Sequence, residues 1–118
     1  MIVGLDHVYY WTADMDVAVV FYRDVLGLEL RRRDGDAWAE FEAGDVRFAL
    51  HGGRGAGIPT GGTAVFRVED LDVARFTVEE RGVRVEGTGE VEGLARFVTL
   101  RDPDGNVLQL IEYRRDAS

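Results

Sequence analysis

Apolar and polar residues alternate along some stretches of this chain and recur with helical spacing in others, and the order occurs twice. Residues 5–12 alternate and are rich in aromatics, which predicts a strand. Residues 15–25 place Val17, Val20, Phe21 and Val25 on one helical stripe, with Thr12, Asp14 and Asp16 as capping candidates and Gly27 as the stop. Strands are predicted over 28–33, 37–43 and 46–51, joined by turns at Arg33-Asp34-Gly35-Asp36 and Gly44-Asp45. The order then repeats as a strand over 63–68, a helix over 71–81 ending at Gly82, and strands over 83–86, 95–100 and 107–113. The turn Asp102-Pro103-Asp104-Gly105 precedes the last strand, its proline and glycine supplying the turn dihedrals.

Trp11-Thr12-Ala13-Asp14-Met15-Asp16 and Arg67-Val68-Glu69-Asp70-Leu71-Asp72 are related by a shift of 56 residues (67 − 11), which also relates His7 to Thr63. Near-duplicate units bury their hydrophobic faces against one another and turn equivalent strands toward a shared hollow. The predicted fold class is α+β: two tandem βαβββ modules, residues 1–52 and 63–118, in a single domain. The linker, residues 53–62, falls in the stretch Gly52–Gly62, which holds six glycines and a proline.

Composition changes the picture in a few places. The chain has 118 residues, 46% of them hydrophobic, and no apolar run of the roughly 18 residues a membrane span needs, so a globular, soluble protein is expected. No basic segment followed by an apolar one opens the chain, and cytoplasmic residence is the default expectation. Cysteine is absent, which removes disulfide and thiol chemistry. All 14 basic residues are arginine, which excludes Schiff-base chemistry on lysine. A net charge of −8 excludes nucleic acid as the partner and suits either a cationic ligand or simple solubility.

Four stretches, in order, carry a family resemblance: Leu5-Asp6-His7; Phe21-Tyr22-Arg23-Asp24-Val25-Leu26-Gly27-Leu28; Phe66-Arg67-Val68-Glu69-Asp70; and Arg101-Asp102-Pro103-Asp104-Gly105-Asn106. Together they resemble the vicinal oxygen chelate superfamily, which includes glyoxalase I, bleomycin-resistance proteins, fosfomycin-resistance enzymes and extradiol dioxygenases. The resemblance implies a glyoxalase-like fold whose sheets curve around a cleft, and commonly a homodimer. In the enzymes it implies a divalent metal held by the first and fourth strands of each module, acting as Lewis acid on two neighbouring substrate oxygens.

Those four positions are His7, Ala49, Thr63 and Gln109. Only His7 matches; relatives usually carry histidine at Thr63 and glutamate at Gln109, and Ala49 has no ligand atom. Glu112 lies three positions from Gln109 and therefore points to the opposite face of its strand. His51, two beyond Ala49, shares its face about 6–7 Å further along, and a bulge at Gly52-Gly53 would bring it closer. An irregular set of His7, His51 and Gln109, with or without Glu40, would take zinc, nickel, manganese or iron; the reading favoured here needs no metal.

Alternation assigns the remaining faces. Val8 and Tyr10, Ala39 and Phe41, Val46, Phe48 and Leu50, and Ala64, Phe66 and Val68 pack against helices. The hollow then receives Tyr9, Trp11, Trp38 and Phe97 as aromatic wall. His7, Glu40, Arg47, His51, Thr63, Arg67 and Gln109 are its polar handles. The aromatics either bind a planar or cationic organic molecule or fill an interface. Arg47 and Arg67 either fix a carboxylate or sit solvated on a rim. His7 serves as general acid or base, or is a structural residue bonded to Thr63 or Gln109.

The favoured function is a bleomycin-resistance-like binder of a small aromatic or cationic molecule, with a degenerate metal site. The alternative is a lyase, isomerase or ring-cleaving enzyme using His7, with or without a divalent metal. A third reading, a subunit whose sheets only mediate assembly, leaves the polar residues unused.

Overall fold

The computed structural model describes residues 6–53 and 61–115, and the chain divides into two compact units, residues 1–61 and 62–118. The fold is α+β, and both units have the strand order first-fourth-third-second.

The first unit comprises β1 (His7–Thr12), α1 (Met15–Val20), β2 (Glu29–Asp34), β3 (Trp38–Ala43) and β4 (Val46–Gly52). β1 runs parallel to β4, while β3 pairs antiparallel with both β4 and β2. Asp14 starts α1 by accepting the Val17 N–H at 3.2 Å, satisfying one of the donors that a helix start leaves unpaired. Ala18, Val19 and Tyr22 pack on Ala39, Phe41, Phe48 and Leu50, all buried, with the Tyr22 and Phe48 rings 4.6 Å apart. Full burial of each of Val19, Phe41, Phe48 and Leu50 contributes about 1.5–3 kcal/mol.

The second unit repeats the plan with β5 (Ala64–Arg67), α2 (Leu71–Glu80), β6 (Gly87–Val91), β7 (Ala95–Arg101) and β8 (Val107–Tyr113). Asp70 caps α2 by accepting the Val73 N–H at 3.1 Å. Its core is Leu71, Val78, Val98, Leu100, Leu108 and Leu110.

Several expectations are corrected. The predicted helix 15–25 is α-helical only to Val20; Phe21–Val25 is a π-helical turn, with Leu26 N–H reaching back five residues to the Phe21 carbonyl at 3.0 Å. Gly27, at φ +78°, then lets Leu28 N–H bond the Tyr22 carbonyl at 2.9 Å. Residues 83–86 are not a strand, although Val83 and Val85 alternate with polar neighbours. Val83 instead closes the end of α2 on the Val78 carbonyl at 2.9 Å, and the strand begins at Gly87. Its sequence Gly87-Thr88-Gly89-Glu90-Val91 carries no apolar alternation because Phe97, from the next strand, covers it: a Cβ on Gly89 would lie 2.2 Å from that ring. Val8 was assigned to the packing face but is 38% exposed. Leu5, predicted to open the first strand, lies outside the described residues, as does most of the linker.

Candidate functional site

The open face of the first sheet is built in three rows by strand register. Trp11, His51 and Trp38 form one row across β1, β4 and β3; Tyr9, Ala49 and Glu40 form the next; His7, Arg47 and Glu42 the third. Alternation sends the intervening Tyr10, Ala39, Phe41, Phe48 and Leu50 to the core, Val8 excepted, which leaves Trp38, Glu40, Arg47 and His51 on the other face of their strands.

The middle row decides the chemistry. β1 and β3 lie on either side of β4, about 9–10 Å apart. Yet the ring of Tyr9 on β1 and that of Trp38 on β3 have centroids only 5.9 Å apart. The two rings, one register row apart, therefore lean toward each other across β4, where residue 49 in Tyr9's own row is a fully buried alanine with nothing beyond Cβ. Tyr9 is the hub of the cluster, 5.9 Å from Trp11, 5.7 Å from His51 and 6.1 Å from His7. His51 lies 4.0 Å from Trp11 and edge-on to Trp38 at 5.6 Å.

A chain of polar contacts runs through this cluster. Trp38 Nε1 donates to Glu40 Oε1 at 2.9 Å, and Arg47 donates to Glu40 Oε2 at 3.5 Å. The same guanidinium donates to Asp6 Oδ2 at 2.7 Å, and Asp6 Oδ2 lies 2.8 Å from His7 Nδ1. These contacts hold the Asp6 carboxyl below its usual value of 3.8, the hydrogen bond to His7 being the largest cause and the charge of Arg47 the next. An ionised Asp6 makes Nδ1 the protonated nitrogen of His7. Arg47 is thus paired with two carboxylates of the chain itself while its side chain stays half-exposed. Glu40 is largely covered, its side chain 16% exposed, and sits against the aromatic cluster with one indole and one guanidinium as partners.

The donor set does not fit the family's four-ligand metal site. Ala49 has no donor atom, and Thr63 sits exposed just before β5. Among the described residues no group of three or more His, Asp or Glu side chains is arranged to hold an ion. His51 is not brought along its strand by a bulge: β4 pairs in unbroken register through His51 and Gly52 with β1, and His51 Nδ1 contacts the Gly52 carbonyl at 2.7 Å. Gly52 is itself pinned, its N–H on the Ala37 carbonyl at 2.9 Å. Glu112, as strand parity requires, turns to the helix side and accepts the Leu71 N–H at 2.7 Å.

On the second sheet Gln109 donates to Thr99 Oγ1 at 3.1 Å, its neighbour in register. Phe97 is half-buried over Gly89, and Arg67 lies 5.5 Å over the ring of Tyr113. Sequence reasoning missed Asp6 and Tyr113. Parity with Gln109 and Ile111 was enough to find Tyr113, and a carboxylate adjoining a histidine was the signal at Asp6.

The family model for the Glyoxalase/Bleomycin resistance protein/Dioxygenase superfamily matches residues 4–110. No curated protein matches the chain. Among solved structures, lactoylglutathione lyase from Agrobacterium tumefaciens is 25% identical, with 95% of each chain covered and a TM-score of 0.80. A protein from the mobile metagenome of V. pseudocholerae is 26% identical, with 98% of each chain covered and a TM-score of 0.78. TnmS3, an antibiotic binding protein from Streptomyces sp. CB03234, shares the fold at 24% identity and a TM-score of 0.79, covering 97% of this chain and 99% of that one. The match over residues 4–110 and the paired βαβββ units agree: this chain belongs to the Glyoxalase/Bleomycin resistance protein/Dioxygenase superfamily.

Proposed function

We propose that this protein binds a small aromatic or cationic organic molecule on the open face of its first sheet, without a metal ion. The observation that carries the reading is the closure of Tyr9 and Trp38 over Ala49, beside the carboxylate of Glu40. At the position where the family's enzymes carry a ligand this chain has a fully buried alanine, in register with Tyr9 and Glu40. Aromatic faces next to a shielded carboxylate attract organic cations, at about 0.5–2 kcal/mol per ring contact. The same scaffold serves binding in the antibiotic binding protein noted above. By family resemblance we expect the binder to act as a homodimer, and cytoplasmic residence remains the default expectation.

Titration of tryptophan fluorescence with benzyltrimethylammonium tests the reading, alongside benzyl alcohol as its uncharged counterpart. Saturable quenching by either that drops in Trp38→Phe supports it, and weaker binding of the cation alone in Glu40→Gln assigns the carboxylate's role. Signals from both tryptophans that stay flat for these probes and for larger aromatic compounds would remove the proposal.

One contact favours a second reading. Asp6 holds the Nδ1 side of His7, which leaves Nε2 as the nitrogen able to take a proton or an ion, as in enzymes of the family. Metal content of protein purified without chelator decides part of this: stoichiometric metal absent from His7→Ala moves the assignment to a lyase, isomerase or dioxygenase acting on adjacent oxygens. Full turnover by His7→Ala on an identified substrate would end that reading.

A further inference from the structure

Acidic residues outnumber basic ones in this chain, 22 to 14, and the strand arginines are neutralised accordingly. Arg31, Arg32, Arg33, Arg47, Arg96 and Arg101 each lie within salt-bridge distance of a carboxylate. Arg67 on β5 differs. Among the described residues its described partner is an aromatic ring, Tyr113, 5.5 Å from the guanidinium carbon. Arg67 pairs in register with Ile111, and Tyr113 follows two residues later on the same face of β8. Val65, two residues before Arg67 on that face, is 50% exposed and stands beside Gln109, whose amide is fixed on Thr99.

A guanidinium held over a ring keeps its in-plane N–H fork for a planar acceptor, and that fork matches a carboxylate bidentately. Exposed apolar surface next to a cation with no carboxylate partner among the described residues is the arrangement an aromatic acid satisfies: carboxylate on the fork, ring on the apolar bed. We propose that the open face of the second unit is a subsite for a planar aromatic carboxylate, with Arg67 as its donor and Val65, Ile111 and Tyr113 as its bed. Its polarity is opposite to that of the first sheet, where Glu40 adjoins the aromatics, and it stands or falls independently of that reading.

Sodium benzoate is the probe, followed through backbone amides and the arginine Nε–H signals by two-dimensional NMR. Inorganic phosphate at matched ionic strength and benzylamine are the comparisons. Saturable shifts at Val65, Arg67, Gln109 and Tyr113 are expected with benzoate and not with phosphate. Arg67→Gln weakens them about tenfold or more, as loss of a charged hydrogen-bond donor does. Tyr113→Leu, which keeps the charge and removes the ring, weakens them by a smaller factor. The proposal is overturned by any of four results: no saturable shift up to roughly 10 mM benzoate, the weak end of small-ligand binding; unchanged affinity in Arg67→Gln; phosphate binding as well as benzoate; or shifts confined to residues around Arg47.

Discussion

Glu112 offers the sharpest test of the strand-parity reasoning, because the sequence alone made it an attractive replacement ligand three residues beyond Gln109. Its Oε1 accepts the Leu71 N–H at 2.7 Å, and its Oε2 lies 3.4 Å from Arg96. Leu71 begins α2 and is buried, so its N–H finds no water when Glu112 is cut to alanine. An orphaned buried donor costs about 1–3 kcal/mol. Loss of a negative charge at a helix start adds about 0.3–1 kcal/mol. The Arg96 pair is 45% exposed on the arginine side and contributes about 0–1 kcal/mol. Glu112→Ala is therefore expected to lower stability by about 1–5 kcal/mol, a shift of about 0.7–2.5 M in the urea midpoint for a slope of about 2 kcal/mol/M. Glu112→Gln, which keeps an acceptor oxygen, recovers most of it. Neither variant alters quenching by a ligand on the first sheet when measured in folded protein. A Glu112→Ala protein of normal stability that loses metal or ligand binding would refute the parity argument and return Glu112 to the site.

Other consequences are checked as directly. The folded-state value of Asp6 lies below 3.8, so its contribution is present above the unfolded carboxylate range and is lost as pH falls through it. Carboxyl NMR titration should show Asp6 moving up toward 3.8 in Arg47→Gln, and an unmoved titration would remove that ion pair. Asp102 is buried and accepts three hydrogen bonds, from Asp104 N–H, Asn106 N–H and Asn106 Nδ2, each at 2.9 Å. Asp102→Ala should cost about 3 kcal/mol in urea unfolding, and a cost below about 1 would show the turn holds without it. Gly89→Val would meet the Phe97 ring, now 2.2 Å from the Cβ position, and should destabilise β6 by about 1–3 kcal/mol, read as lost amide protection there. Ala49→Leu should drive Tyr9 and Trp38 apart and change tryptophan emission; an unchanged spectrum would mean the rings do not rest over that residue.

Much of the fold was legible because each strand that packs on a helix alternates and each helix begins with a capping aspartate. The β6 strand was not, since Gly87 to Val91 owes its place to Phe97 and to pairing with β7 rather than to its own pattern. Nor was the π-helical turn at Phe21–Val25, and the stripe read from sequence is not the buried one: Met15, Ala18, Val19, Phe21 and Tyr22 are buried, whereas Val17 and Val20 are exposed. In the site, alternation put the right side chains on the right face but gave no distances. The leaning of Tyr9 toward Trp38 depends on cross-strand register, which sets Tyr9 beside Ala49, 40 positions on (49 − 9), and Trp38 beside His51, 13 positions on (51 − 38). Arg47 illustrates the limit best. Its direction was correct, but its pairing with Asp6 and Glu40, rather than with a ligand, is a tertiary fact.

The repeat explains why the four positions at which the family's enzymes carry ligands are still recognisable, although three of them hold neither histidine nor carboxylate. Equivalent backbone positions carry His7 and Thr63, Ala49 and Gln109, and Gly52 and Glu112. At the last pair the two units solve the same helix start differently. Glu112 holds the first N–H of α2, whereas at Gly52 a Cβ would meet the Asp36 carbonyl at 1.9 Å, so no side chain fits and α1 relies on Asp14. At the middle pair, alanine opens room for two rings in one unit and glutamine ties itself to Thr99 in the other. Each substitution is locally satisfied, with no buried side-chain polar atom among the described residues left unpaired. Chelation asks for donors that remain unsatisfied by protein until an ion arrives. At Ala49 and Gln109 those positions are instead filled by ring contacts and an internal hydrogen bond, which leaves Nε2 of His7 as the donor to test. The proposed binder and the metal-dependent alternative then differ in whether Trp38 and Glu40 or His7 governs what the sheet takes up.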